Sequence, residues 1–191
     1  MKSLIAIIGS IILSGCSVFG VSNVETAPYQ VLEKSEDFEL RHYDSLILVS
    51  TSMSSMGEDN KPFRKLFNYI SGRNANEQEI SMTAPVFMNR EGDNTTKMSF
   101  VMPADFSIAD TPTPQDPDIT IDEINDYTVA TIQFSGLLNQ DNITKHEAML
   151  RNWIAEKNYN VIGDAKAAGY NPPFTIPALR RNEILIPVAK K

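Results

Sequence analysis

From Tyr29 onward, apolar and polar residues alternate in stretches, and where the alternation stops a three-to-four spacing takes over. Phe38, Leu40 and His42 alternate with Glu39, Arg41 and Tyr43, the period of two of a half-buried strand. Asp44 and Ser45 read as a turn before a second strand, Leu46 to Met53, rich in β-branched residues. Phe63, Leu66, Phe67 and Ile70 recur at three- and four-residue steps, which places them on one face of a helix running from about Pro62 to Gly72. Ile80 to Met88 alternates again, with Ile80, Met82, Ala84, Val86 and Met88 on one side. Pro85 cannot donate to a ladder, so this strand is expected at an edge or with a bulge. Lys97 to Met102 is a further strand, joined to it by a hairpin turn rich in Gly, Asp and Asn.

The stretch DTPTPQDPD, Asp110 to Asp118, suits neither helix nor central strand and is expected to be an exposed, extended connection. It divides the chain into similar halves. After it come two apolar runs, Ile119 to Ile124 and Tyr127 to Phe134, then a helix from about Asn142 to Lys157 and a final strand, Glu183 to Val188. The order strand, strand, helix, strand, strand thus occurs twice, with the second half obscured by the prolines of AGYNPPFTIPALRR. The fold class that follows is α+β, with helices packed on an antiparallel sheet or open barrel over residues 29–191.

Ahead of this region, Lys2 precedes an apolar run from Leu4 to Leu13 and then the string LSGC ending at Cys16. The run is shorter than the roughly 20 residues a membrane-spanning helix needs, which favours a secretory signal over residues 1–15. LSGC resembles the lipobox of bacterial lipoproteins, in which the cysteine is acylated and begins the mature chain. A plain secretory peptide and a buried structural cysteine are the competing readings. The resemblance implies a lipid-anchored protein of the cell envelope. By the same resemblance to bacterial lipoproteins, Ser17 rather than Asp after the cysteine implies the outer membrane, facing the periplasm. Residues 16–28 lack any period and suit a flexible tether.

Charge and composition narrow the partners. With 24 acidic against 17 basic residues the net charge is −7, so nucleic acid is not an expected partner. One cysteine excludes an internal disulfide and any zinc site built from several thiolates. GxSxG, HExxH and phosphate-cradling glycine loops are missing from the sequence, and with two histidines no enzyme is expected.

The strings ELRHYDS, NYISGRN, ISMTAPV, FSG, AGYNPP and RRNEI occur in that order across the domain, and together they resemble the SOUL or haem-binding-protein family. The resemblance implies a distorted β-barrel of two pseudo-symmetric halves with two packed helices, and reversible, non-catalytic binding of haem or another tetrapyrrole. An envelope structural lipoprotein without haem, or a carrier of another small amphiphile, are the alternatives.

His42 matches a position at which some members carry a proposed axial iron ligand, and neutral imidazole is a suitable donor. The bland alternative is a half-solvated histidine at a strand end. His146 falls on the apolar stripe of the second helix, where a satisfied core histidine is the simpler reading. Met82, Met88, Met98 and Met102 lie on the paired strands, where thioethers fill a core or adapt to a flat apolar ligand, and Met82 could supply an axial sulfur. Arg41, Arg73, Arg180 and Arg181 are candidates for pairing with haem propionates, against ordinary surface ion pairing.

Overall fold

A computed structural model of the protein describes residues 24–53, 60–91 and 95–191. Residues 1–23, which include the expected signal segment, Cys16 and most of the expected tether, lie outside the described residues. The elements are β1 (Glu25–Thr26), β2 (Gln30–Ser35), β3 (Phe38–Met53), α1 (Lys61–Ile70), β4 (Thr83–Ala84), β5 (Val86–Glu91), β6 (Thr95–Val101), β7 (Ile119–Phe134), α2 (Gln140–Glu156), β8 (Tyr159–Val161), β9 (Lys166–Gly169) and β10 (Asn182–Lys190).

β3 and β7 pair antiparallel from Phe38↔Ile132 to Thr51↔Ile119. The remaining neighbours run β3–β6–β5–β9–β10–β7, so the sheet closes on itself as a six-stranded antiparallel barrel. Each half supplies one long strand, one helix and a pair of shorter strands: β3, α1, β5 and β6, then β7, α2, β9 and β10. The expected two-half α+β barrel is the observed one.

Asp44 and Ser45 do not make a turn: β3 runs through them, and β7 likewise runs unbroken through 125–126. Polar residues within a strand resembled a break because both are exposed while Tyr43 and Leu46, on either side, point into the barrel. The opposite strand repeats the skip, with Asp126 at φ 52° between Ile124 and Tyr127. The matched irregularity swaps the faces of both strands. Leu40, before it, packs under α2, and Ile47 and Val49, after it, pack under α1.

The α1 face is also offset. Leu66 and Ile70 are buried together with Pro62 and Tyr69, while Phe63 and Phe67 are 39% and 47% exposed and stack on each other at 6.1 Å. A helix on the convex side of a barrel covers only a narrow stripe, so the edge of its apolar face stays open. Ile80 to Met88 is likewise not one strand. A cis Ala84–Pro85 peptide separates β4 from β5, and β5 has neighbours on both sides, β6 and β9, rather than lying at an edge.

Two segments expected to be loose are tied down. Glu25 and Thr26 pair with Thr83 and Ala84, and Ala27 is buried, so contacts with the barrel begin ahead of Tyr29. In the proline-rich connection, Thr111 and Pro112 are buried, the Tyr69 hydroxyl donates to the Pro112 carbonyl, and Asn74 bridges Pro114.

α2 starts at Asn139, whose side chain accepts from the Asn142 N–H at 3.0 Å and satisfies one free donor of the first turn. Asn139→Ala is expected to cost about 1 kcal/mol of stability, read as a lower midpoint in urea with an unchanged slope.

Candidate ligand-binding site

The barrel interior is filled. Tyr43, Leu46, Leu48, Phe87, Val129, Ala168 and Leu185 pack there, and all are nearly inaccessible. Among them lies a charged cluster. Arg41 donates Nη1 and Nη2 to Glu183 at 2.6 and 3.0 Å and Nε to Glu39 at 2.7 Å. Arg181 donates Nη2 to Glu183 at 2.7 Å, and the Tyr170 hydroxyl donates to it at 2.8 Å. Burial alone pushes the Glu183 carboxyl up, but the hydrogen bonds and charges of Arg41 and Arg181 outweigh it and hold the group below the ordinary carboxylate value. Burial would lower Arg41, yet Glu183 raises it overall. Arg41 and Arg181 are therefore committed to the interior carboxylate and are not free for a propionate. Arg180 is held by the carbonyls of Thr175 and Pro173, and only Arg73 stays on the surface, beside Lys65 and Asp116.

The outer face of the barrel offers a different surface. Register pairs Met98 with Met88, Met88 with Ala167, and Ala167 with Ile184, which makes one row across β6, β5, β9 and β10. Phe100 and Val86 form the next pair on the same face, and Phe63 meets Phe100 edge-on at 5.2 Å. Met98 and Phe100 are sealed under α1, and Ile184 under α2, whereas Met88 and Val86 are half-buried in the gap between the helices.

Met88 also borders a cleft of about 250 Å³ on the α2 side, above the buried Ala167 and Ile184, with Gln140, Ile143, Glu147 and Arg151 as its α2 wall and Asp164, Ala165 and Lys166 on the other side. The wall residues follow a helical repeat, so one face of α2 presents them together. Arg151 donates Nε and Nη2 to Glu147 Oε1 at 2.9 and 2.8 Å, which holds a cation at the rim for an incoming carboxylate. The volume is below the roughly 300–1,000 Å³ of enclosed small-molecule pockets, so a tetrapyrrole could seat only one edge there and would leave the rest against the open surface.

His42 and Met82 are not brought together. His42 sits on the external face with Phe38 and Leu40, with Nδ1 3.2 Å from Thr128 Oγ1 and Nε2 3.2 Å from the exposed Asp44 carboxylate. His42 is not among the residues that line the cleft. Met82 packs against the α1 layer beside Ile80 and Phe106. His146 lies flat on Phe134 at 3.9 Å, and its Nδ1 is 2.6 Å from the Asn142 carbonyl, the satisfied histidine expected from the stripe. Among the described residues no three His, Cys, Asp or Glu side chains cluster to hold a metal ion. Met88 is thus the soft donor that the cleft itself provides.

Sequence reasoning placed Met88 on the correct face through its alternation, but missed Ala167, Ile184 and Arg151. Ala167 belongs to a four-residue strand hidden by the prolines after it, and Arg151 carried only the signal of an Glu147 four residues before it. Glu183 entered only as the start of the last strand and as part of the RRNEI string, because a carboxylate ahead of an apolar run looks like a strand end.

Comparison with known proteins adds to this geometry. The family model described as SOUL heme-binding protein matches residues 24–187. The chain is 32% identical over 174 residues to heme-binding protein 2 of Homo sapiens, covering 83% of this chain and 81% of that protein. It is 29% identical over 183 residues to heme-binding protein 1 of Mus musculus, covering 88% and 94%. Among solved structures, the EcmrR C-terminal domain superposes with a TM-score of 0.59 at 16% identity, covering 85% of this chain and 99% of that one. A protein described as a hydrolase from Listeria innocua gives 0.59 at 9% identity, covering 83% and 94%. At these identities the two structures share the fold alone.

Proposed function

The chain belongs to the SOUL heme-binding protein family, and from that premise we propose that it binds haem or a related tetrapyrrole reversibly, without a catalytic step, on the seam between α1 and α2. The observation that carries the reading is the half-buried Met88 within the cross-strand row, between residues sealed under α1 and residues sealed under α2, in a cleft bordered by Arg151. Met88 would offer its side chain to a flat apolar ring, and Arg151 would pair with a propionate in place of Glu147. Iron, when bound, supplies an acceptor for a soft donor. The residues fit that group through a thioether rather than an imidazole. Part of the guest stays in water, so release requires no opening of the barrel.

Titration of the full chain with hemin tests this. A saturable Soret shift at micromolar concentration is expected, and its absence overturns haem binding. Ligation by His42 is the second reading, favoured by an imidazole whose Nδ1 is already held by Thr128 and whose Nε2 meets only an exposed carboxylate. His42→Ala separates the two: the seam reading expects an unchanged Soret position and affinity, and a displaced band assigns the iron to His42.

The cell-envelope location belongs to the same proposal. The apolar run before Cys16 and the LSGC string support acylation of that cysteine, with Ser17 favouring the outer membrane and a domain facing the periplasm. Among the described residues no helix is long and apolar enough to cross a membrane.

A further inference from the structure

We propose that the loop between β9 and β10, residues 170–181, is a second membrane contact that places Phe174, Ile176 and Leu179 in the surface of a lipid bilayer; this rests on the reading of Cys16 as the lipid anchor. These three side chains are 81%, 53% and 50% exposed and fall within six residues. Their exposure is built in. Pro172, Pro173 and Pro177 fix the backbone, the Thr175 N–H bonds the Pro172 carbonyl at 3.0 Å, and Arg180 clamps the carbonyls of Thr175 and Pro173 at 2.8 and 2.5 Å. The Gly136 N–H bonds the Pro177 carbonyl at 2.8 Å and ties the loop to the end of β7. A rigid loop that presents a phenyl ring to water gains nothing for the fold from that ring.

The loop leaves the barrel at the end where the N-terminal segment arrives. Arg181 Nη2 lies 3.3 Å from the Tyr29 hydroxyl, and β1 pairs with Thr83 and Ala84, just before Val86, which in turn pairs with Gly169 at the start of the loop. The chain from Cys16 to Val24 reaches at most about 27 Å, so an acylated Cys16 holds this end of the barrel close to the bilayer. Residues 165–182 contain no Asp or Glu, in a chain with 24 of them, so the loop itself adds no carboxylate toward anionic headgroups while Arg180 sits within it; the exposed Glu36 and Asp37 of the β2–β3 turn lie at the same end.

Size favours lipid over a protein partner. Three side chains fall well short of the roughly 800 Å² per partner of a stable protein interface. A surface already tethered to the bilayer needs only a small supplement, because its effective concentration there is high.

The full chain carrying Phe174→Trp, reconstituted in phosphatidylethanolamine–phosphatidylglycerol vesicles with or without brominated acyl chains, tests the proposal. The wild type gives the background from Trp153, which lies 7% exposed against Phe38. The added indole emission is expected to fall roughly two-fold in brominated vesicles, while wild-type emission holds. A chain that floats with the vesicles but shows no quenching of the added indole overturns the loop contact and leaves the anchor standing. A chain that does not float with them overturns the anchor, and this proposal with it. An added indole whose emission shifts with protein concentration in detergent alone assigns the tip to a second copy and overturns the lipid contact.

Discussion

Glu183→Gln is expected to destabilise the domain by about 3–5 kcal/mol, because it removes the fully buried carboxylate and leaves the buried Arg41 guanidinium with Glu39 alone as counter-charge. For a domain of this size the melting temperature would drop by roughly 10 °C. The pH dependence carries a second signature. Glu183 is held below its unfolded value, so its stabilisation is complete above the unfolded carboxylate range near ~4.3 and is lost as pH falls through the folded value. Urea midpoints measured from pH 7 downward should therefore fall steeply for the wild type, and more shallowly for Glu183→Gln from its lower start. Replacing both partners, Arg41→Met with Glu183→Leu, should recover part of the loss. Recovery stays incomplete because the Tyr170 hydroxyl and Arg181 also bond Glu183. A single substitution that leaves the midpoint within 1 kcal/mol, on the order of an ordinary surface change, contradicts the buried-pair account.

The largest functional effect is expected at Met88. Met88→Asp puts a hydrated carboxylate in the floor of the seam, where a ring must displace its water, and hemin affinity should fall roughly 10- to 100-fold, the equivalent of burying one such apolar side chain. Met88 is half-buried at the surface, so the fold should survive, which a matched melting curve checks. Met88→Leu divides packing from ligation. If the ring only rests on the side chain, affinity and Soret position are retained; if the sulfur reaches iron, the band moves. Unchanged affinity in Met88→Asp removes the seam from the account.

Alternation of period two was enough to find most strands, because the barrel has an inside packed with side chains and an outside partly covered by helices. It failed at Asp44–Ser45, where a paired skip in β3 and β7 exposes two polar residues without ending either strand. Such a skip depends on the partner strand, which lies about eighty residues away and leaves no local mark. The three-to-four spacing located α1 but placed Phe63 and Phe67 with Leu66 and Ile70, since period alone does not say how wide a stripe a curved sheet can cover.

For the site, what was legible was residue type rather than arrangement. Methionines on paired strands pointed to an adaptable surface, and Met88 is where that surface opens. The barrel interior is filled with side chains, and Arg41 and Arg181, read as propionate partners, turn inward to the Glu183 carboxylate. Long-range ion pairing of this kind links positions 142 residues apart and becomes visible only when the strands are in register.

The most direct test uses a diamagnetic gallium protoporphyrin and methyl NMR of the full chain, since a porphyrin ring shifts any methyl group over its face. The account expects the largest shifts at the methyls of Met88, Ala167 and Ile184, with the interior leucines Leu46, Leu48 and Leu185 unmoved. Shifts confined to the surroundings of His42 and Thr128, with Met88 silent, would contradict it.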